Sequence, residues 1–456
     1  MPLFVLKALS PHYFVGFCFR RLTFDIKYTG MKKALLFLAL LSGLNLFPQD
    51  TLTFMQYNLL NYGNFTDYCT VQNNQIEDKD VYISTIVNYI QPDVFTVNEV
   101  SGSGAIHQHL LDRAVNADGI DKYKMAPFIF TASPYLVNLL FYDHKKLTLY
   151  SHVIAQSTIR DVDVYKLYYN SNDLAEGDTA FVICVVAHLK AGNTAGDTEN
   201  RATMAQNTMN FLENYGRDDN YLLSGDFNLY SSSEDAYQTF TQYANSSLRF
   251  YDPIDKPGDW NNNSAFAAYH TQSTHLTSSG CPASGGMDDR FDFILMSNNL
   301  KFGVKHLTYV PGSYHAIGQD GLHFNKDITA SPTNTSVPPD VLTALYENSD
   351  HLPVTLKLAV DKTLGVSDWL AGDFQNIRFN NPVSSKIRLT ITTAKPTRLY
   401  VDLFNLCGKA VYKHTENLIS GQNQVDLHAD GIPSGMYLMK MSGENKQTVT
   451  RKLVIN

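Results

Sequence analysis

From residue 51 to residue 360, short apolar runs alternate with segments of helical period, and this alternation limits the fold more than any other feature. Leu52–Tyr57, Asp93–Val97, Asn138–Tyr142, Asp163–Tyr169, Ala180–Ala187, Tyr221–Leu223, Phe291–Met296, Gly303–Val310 and Leu352–Val360 have the length and side-chain types of strands. Between them, Val81–Ile90 places Ile83, Ile86, Val87 and Ile90 on one helical face, and Pro92 stops the helix. Ala105–Ala117, Glu199–Tyr215 and Ser233–Tyr243 also read as helices. Residues 252–288, rich in Asn, Ser, Gly and His, read as a long surface loop, and 312–340 as a second irregular stretch. Strands alternating with helices predict an α/β domain over 51–360. After a linker at 361–379, residues 380–456 change to short β-rich runs separated by turn residues, which predicts a small all-β sandwich.

Polar residues collect at the ends of the apolar runs. In Tyr221-Leu222-Leu223-Ser224-Gly225-Asp226-Phe227-Asn228-Leu229, an apolar run meets a Gly, then an acid and an amide two apart. Positions two apart on a strand share a face, so Asp226 and Asn228 can converge on one ligand. Gly-Asp and Phe-Asn are also ordinary turn residues, and the stretch by itself leaves both readings open. Asn58, Glu99, His188, Asp292 and the pair Asp350-His351 repeat the pattern. Strand ends are where α/β proteins build sites. The set has the parts that phosphodiester hydrolysis needs. Carboxylates can hold a divalent cation, one His can take a proton from water, and an Asp can fix that His and stabilise its charge. Hard oxygen donors and amides favour magnesium, with manganese or calcium as alternatives, over zinc. Lys190, Arg201 and Arg290 are candidate phosphate contacts or solvated surface charges, and His270 and His275 could line the site from the 252–288 loop.

The formal charge of −8 is unevenly spread. Residues 1–50 carry six Lys or Arg against two acids, and 380–456 carry ten against five, so the middle is strongly acidic. Such a segment does not hold polyanions by its overall field and needs a cation or a local patch to handle phosphate. Met31-Lys32-Lys33 followed by Ala34–Leu41 reads as a secretory signal over 31–50, with 1–30 upstream of the true start. Five cysteines show no C-x-x-C spacing. Cys184 reads as a buried thiol, and Cys69 could pair with Cys281 in an oxidising compartment, although spacing alone does not show it.

Phe54–Asn58, Asp93–Glu99, Val186–Leu189, Ser224–Asn228, Arg290–Leu295 and Ser349–Val354 occur in the order seen in the endonuclease/exonuclease/phosphatase family, which the chain resembles over 51–360. The resemblance implies two packed mixed β-sheets flanked by helices, a four-layer α/β sandwich. It implies Glu99, Asp350 and Asn58 at the metal, and Asp226 and Asn228 positioning phosphate and nucleophile. His188 would sit near the leaving group, with His351 as the base and Asp292 orienting it. Asn98 stands where many relatives have Gln, and Leu60 where abasic-site enzymes have Asp, while Asn58 followed by Tyr62-Gly63 and the presence of His188 look closer to deoxyribonuclease I. The C-terminal part resembles the type IX secretion sorting domain of Bacteroidetes, through Asn381-Pro382, Asp402-Leu403-Phe404, Gly421-Gln422-Asn423, Ile432–Tyr437 and Arg451-Lys452-Leu453. That implies export handled by the type IX machinery, and the two resemblances together imply a secreted phosphodiesterase, foremost a nuclease acting on DNA or RNA. Two rivals stay open: the same chemistry on phospholipid or inositol phosphates, and a non-catalytic binding or adhesion protein that reuses the fold.

Overall fold

β1 (Asp50–Tyr62) opens the described chain and becomes an inner strand of the first sheet. The structure is a computed structural model that describes residues 50–455, apart from 132–134, 175–176, 217–218, 279, 363–373, 407 and 445–447. The expected upstream segment 1–30, all but the last residue of the expected signal, and most of the linker lie outside the described residues.

After β1, α1 (Ile76–Ile90) returns the chain to β2 (Val94–Ser101), which lies parallel to β1. A short α2 (Gly104–His109), extended by a π-type turn to Val115, leads to β3 (Tyr123–Met125) and β4 (Leu136–Asp143). The second sheet begins with β5 (Leu147–Gln156), β6 (Val162–Tyr169) and β7 (Phe181–His188), each antiparallel to the last. α3 (Ala195–Tyr215), started by a Thr194–Asp197 capping box, crosses over to β8 (Tyr221–Asp226), parallel to β7. α4 (Asp235–Thr241), β9 (Phe250–Tyr251) and β10 (Asp292–Ser297) complete that sheet in the order β5-β6-β7-β8-β10-β9. The chain then rejoins the first sheet through α5 (Asn298–Phe302), β11 (Leu307–Tyr309), β12 (His315–Ala316), α6 (Pro339–Asn348) and β13 (Val354–Val360). Its order is β11-β13-β1-β2-β4-β3, with β12 on β13.

The layers follow from side-chain alternation along the strands. On one face of the first sheet, Met55, Tyr57 and Leu59 pack with Ile83, Ile86 and Val87 of α1 and Val341 and Leu345 of α6. On its other face, Leu52, Phe54, Leu140 and Leu356 meet Tyr165, Cys184, Val186, Leu222 and Ile294 of the second sheet. Beyond that sheet, Ile183, Val185 and Leu223 pack with Met204, Met209 and Leu212 of α3 and Phe240 of α4. Each fully buried large aliphatic or aromatic side chain contributes about 1.5–3 kcal/mol. The result is two mixed sheets flanked by helices. The C-terminal strands are β14 (Phe374–Phe379), β15 (Lys386–Thr393), β16 (Thr397–Asn405), β17 (Ala410–Leu418), β18 (Gly421–His428), β19 (Gly435–Ser442) and β20 (Thr448–Ile455). They form small sheets ordered β14-β15-β18 and β17-β16-β19-β20, and one apolar core joins Leu389 and Val425 to Val401, Met439 and Leu453. Among the described residues no helix is long and apolar enough to cross a membrane.

Several elements differ from the sequence expectation. β5 was not expected, because Tyr150 is exposed and most of its side chains are half-buried, which blurs the alternation. The irregular 312–340 stretch runs straight into α6, which starts on Pro339 and buries Val341, Leu342, Ala344 and Leu345. Residues 303–306 are not strand, and only Leu307–Tyr309 pairs. The expected 252–288 surface loop instead turns inward and buries Trp260, His270, Thr271 and Thr274.

Two local features fix the chain near the strand ends that matter later. Gly225 has φ +146°, and a Cβ there would lie 1.7 Å from the Ala187 carbonyl oxygen, so only glycine lets β8 lie this close to β7. Cys69 and Cys281 form a disulfide across 212 residues of sequence. Gly225→Ala is expected to cost at least about 3 kcal/mol, read as a fall in the urea midpoint. Replacing both Cys69 and Cys281 with Ser is expected to lower stability by about 3–5 kcal/mol, read from chemical denaturation under non-reducing conditions.

Candidate active site

The sheet registers bring the polar strand ends together. His188 pairs with Asp226 across the parallel β7–β8 ladder, and Asp226 pairs with Asp292 across β8–β10. Paired residues project to the same side of a sheet, so three neighbouring strands present His188, Asp226 and Asp292 in a row. In the first sheet Asn58 pairs with Asn98, and the register then slips, leaving Glu99 in a bulge of β2. Glu99 has φ +60°, a left-handed conformation that costs a non-glycine residue of the order of 1–3 kcal/mol. Its carboxylate is held from both sides. Asn58 Nδ2 donates to Oε1 at 3.1 Å, while the backbone N–H and Nδ2 of Asn61 donate to Oε2 at 3.1 and 3.3 Å.

Asp226 is the point at which the two sheets meet. Its N–H donates to Asn98 Oδ1 at 2.9 Å, and its Oδ2 accepts from Asn58 Nδ2 at 3.0 Å. Asn98 also accepts from Gln56 Nε2 and donates to Asn138 Oδ1, each at 2.7 Å. Its amide therefore braces Asp226 from across the sheet interface. Asn228, with φ +51°, donates its N–H to Asp226 Oδ1 at 3.0 Å and its Nδ2 to Leu189 O at 3.3 Å.

His351 lies opposite. Its Nδ1 lies 2.7 Å from Asp292 Oδ2 and donates to it, and Nε2 lies 2.8 Å from Gln272 Nε2, so in the neutral imidazole the proton sits on Nδ1 and the free pair on Nε2. Nε2 also lies 3.7 Å from Asp226 Oδ2 and 4.0 Å from Asp350 Oδ1. Ser349 fixes the backbone here: its Oγ donates to Asn58 O at 2.8 Å and accepts from His351 N–H at 3.1 Å. Burial opposes a charge on His351, but Asp292, Asp226 and Asp350 together outweigh it and hold the imidazole well above its ordinary pKa. Burial, aided by the positive charges of Arg160 and His351, pushes His188 well below its ordinary value. Burial, with repulsion from Asp292 and Glu99, raises Asp226 against the pull of His351.

The donor set fits a hard divalent cation. One ligand atom each from Glu99, His188 and Asp226 lies within 4.8 Å of the others. His188 Nε2 is 3.8 Å from Glu99 Oε1 and 3.5 Å from Asp226 Oδ2. The buried Oδ1 atoms of Asp292 and Asp350 have no hydrogen-bond partner. Buried carboxylate oxygens left this way call for a cation or a donor. The sequence expectation grouped Glu99 with Asp350 and Asn58. Here Asp350 Oδ2 is taken by Gln272 Nε2 at 3.1 Å and Ala283 N–H at 2.8 Å. The Asn58 oxygen accepts from Leu60 N–H at 2.9 Å, so Asn58 holds the carboxylates with its NH2 group.

Other residues sort differently from the expectation. Arg201 and Arg290 are fully buried in ion pairs, with Glu234 at 2.7 Å and Asp252 at 2.8 Å, and Lys190 pairs with Asp197 at 2.7 Å. None of the three lies free to meet phosphate. His270 bridges two carbonyls, those of Trp260 and Met287, and His275 stacks on Tyr346 with centroids 4.0 Å apart. Three residues without a sequence signal join the site: Gln272, Arg160 and Lys79. Arg160 Nη1 donates to Leu189 O at 2.6 Å, and its charge acts on Glu99 and Asp226. Buried Lys79 donates to the carbonyls of Leu60 and Asn348 and so ties the segment after Asn58 to the one before Ser349.

Residues 379–456 match the family described as "Secretion system C-terminal sorting domain". No curated protein matches the chain. Among solved structures, the chain is similar to TDP2 of D. rerio complexed with single strand DNA product, at 13% identity and a TM-score of 0.42, over 68% of this chain and 100% of that one. It is similar to the human Nocturnin catalytic domain with bound sulfate anion at 17% identity and 0.41, over 69% of this chain and 98% of that one. It is similar to an endonuclease/exonuclease/phosphatase from Bacteroides vulgatus at 16% identity and 0.42, over 69% and 100%. The C-terminal sheets thus carry the likeness to a secretion sorting domain that their sequence implied.

Proposed function

We propose that residues 51–360 form a secreted, divalent-cation-dependent phosphodiesterase and that its substrate is extracellular DNA or RNA. One observation carries the reading: the acidic cluster of Glu99, His188 and Asp226 faces a His351–Asp292 pair whose Nε2 lies 3.7 Å from the shared Asp226 carboxylate. Glu99 and Asp226, with His188 as a third donor, would hold the cation. The bound cation neutralises phosphate charge and lowers the pKa of water. His351 Nε2 takes a proton from the attacking water, and Asp292 keeps Nδ1 protonated and stabilises the imidazolium. Asn58 and Asn98 keep Asp226 in place, and Asn228 stiffens the turn after it. Arg160 extends positive charge toward the phosphate. Neutral His188, with Nε2 turned to the two carboxylates, would serve the cation rather than donate a proton to the departing oxygen. The C-terminal match to a sorting domain supports export by the type IX machinery, with the 31–50 segment as the signal for the inner membrane.

On plasmid DNA and a synthetic diester with magnesium, His351→Ala and Asp292→Asn are each expected to lower kcat by about 10²–10⁴-fold with little change in KM. EDTA abolishes turnover and added magnesium restores it. Lipid turnover without DNA cleavage would transfer the assignment to phospholipid or inositol phosphates. A folded chain with no turnover would make it a binding protein.

The pH profile tests the base directly. Protonated His351 cannot accept a proton, and its pKa is raised, so activity is low on the acid side and climbs as pH rises through that pKa. Positive charge bound nearby opposes protonation, so the acid limb of kcat/KM moves to lower pH as magnesium concentration increases. A limb that stays fixed between low and saturating magnesium would contradict this placement of the base.

A further inference from the structure

The base carries a donor at the atom where a water proton has to arrive. His351 Nε2 lies 2.8 Å from Gln272 Nε2, and the same NH2 group donates to Asp350 Oδ2 at 3.1 Å. Turned over, the amide would set its oxygen against a carboxylate oxygen and the free pair of a neutral imidazole, both acceptors, so its neighbours assign the NH2 end to this position. One N–H is used on Asp350 and the other on the base. Asn58, Asp226 and Asp350 also surround Nε2, and all three are buried, whereas Gln272 is half-buried. It is thus the member of this group that is partly open to solvent.

The backbone of Gln272 is fixed. Its N–H donates to Asp289 O at 3.0 Å, and its carbonyl accepts from the N–H groups of Asp288 and Asp289 at 2.9 and 2.8 Å. Leu352 N–H donates to Thr271 O at 2.7 Å and Thr274 N–H to Asp350 O at 2.9 Å. The residue is therefore stitched between the chain that leads into Asp292 and the chain that carries Asp350 and His351. None of these bonds holds the side chain, whose NH2 group rests on Asp350 and His351.

A further acceptor waits beside Nε2. Buried Asp350 Oδ1 has no hydrogen-bond partner and lies 4.0 Å from Nε2. That separation is close to what one water bridges, since each of its hydrogen bonds is about 2.8 Å long. A water there gives one hydrogen bond to Nε2 and one to Asp350 Oδ1, and accepts one from the Gln272 N–H that it displaces from the base. A single lone pair of its oxygen is then left unheld and is free for phosphorus.

We propose that Gln272 is a further catalytic residue, which occupies the base until water enters and then fixes that water for attack, its NH2 passing from His351 Nε2 to the nucleophilic oxygen. The proposal rests on the phosphodiesterase reading above and names the group that positions its nucleophile. In the step, the water proton goes to Nε2 and the O–H electron pair forms the new P–O bond. The P–O bond to the leaving group breaks with its pair on the departing oxygen, which takes a proton from solvent. Gln272 neither gains nor loses a proton; it supplies orientation.

The test is steady-state hydrolysis of two synthetic diesters, one with a nitrophenyl and one with a phenyl leaving group, by the full chain with magnesium. Gln272→Met and Gln272→Leu keep the bulk of the side chain and lose both donors. At a half-buried position both keep the fold, checked by the urea midpoint. Each is expected to lower kcat by about 10²-fold with KM within about twofold, the effect of a misplaced reactant. The factor should be the same on both diesters, because they share the nucleophile, and the magnesium concentration for half-maximal rate should not move. Unchanged or higher kcat, a loss carried by KM or by the magnesium requirement, or a loss larger on the phenyl diester would each overturn this role and leave the phosphodiesterase standing. An unaltered chain that hydrolyses neither diester would remove that reading and this role together.

Discussion

A line of buried amides holds the two sheets in one relation to each other. Thr96 Oγ1 donates to Gln56 Oε1, Gln56 to Asn98, Asn98 to Asn138, and Asn138 to Asp163 of the second sheet at 2.9 Å. Asn98 Oδ1 receives the Asp226 N–H from the same sheet. Apolar contacts between sheets are non-directional and would tolerate sliding. Buried polar groups do not, because a shift by a fraction of their bond length leaves several unsatisfied, each at about 1–3 kcal/mol. The same line continues to His152, which bonds Asp163 Oδ1 at 2.8 Å and the Pro127 carbonyl at 2.8 Å. Sheet packing and the placement of Asp226 are thus set by the same hydrogen bonds.

The site gathers like charges at some cost to the fold. Glu99, Asp226, Asp292 and Asp350 surround two imidazoles in a largely buried volume, and two of the carboxylate oxygens lack partners. Burial, with repulsion from Asp292 and Glu99, raises the proton affinity of Asp226, while attraction to Asp292, Asp226 and Asp350 raises that of His351 against burial. The scaffold resists it with amide donors from Asn58, Asn61 and Gln272 and with the close β7–β8 approach at Gly225. A structure that keeps such a concentration of charge has a use for it, and a cation would relieve it.

The strand ends were legible in the sequence because a side chain at the tip of an apolar run has few places to go. That logic brought Asn58, Glu99, His188, Asp226, Asp292 and His351 to one place. It failed where partners are distant and unannounced. Arg201 and Arg290 look like free cations until Glu234 and Asp252, 33 and 38 residues away, are folded against them. The 252–288 stretch has loop composition, and composition says nothing of direction. Its Thr271 Oγ1 caps the N–H groups of Phe291 and Asp292, and its Gln272 reaches His351. Arg160 sits in a polar turn with no pattern around it, and only the sheet register shows what it faces. α6 was within reach of the sequence, since Pro339 and the spacing of Val341, Leu342 and Leu345 signal a helix, but the Gly- and Pro-rich residues before it masked the start.

The left-handed backbone at Glu99 bears on how such a chain drifts over generations. Glycine or asparagine would sit there without strain, and neither would add a negative charge to a crowded volume. A lineage that makes no use of the acidic cluster therefore has an easy downhill path at this codon, one that hardens the protein while dismantling the cluster. Persistence of an acid at residue 99 in descendants of this sequence is a record of use, and its replacement would be an early sign that a copy has been retired.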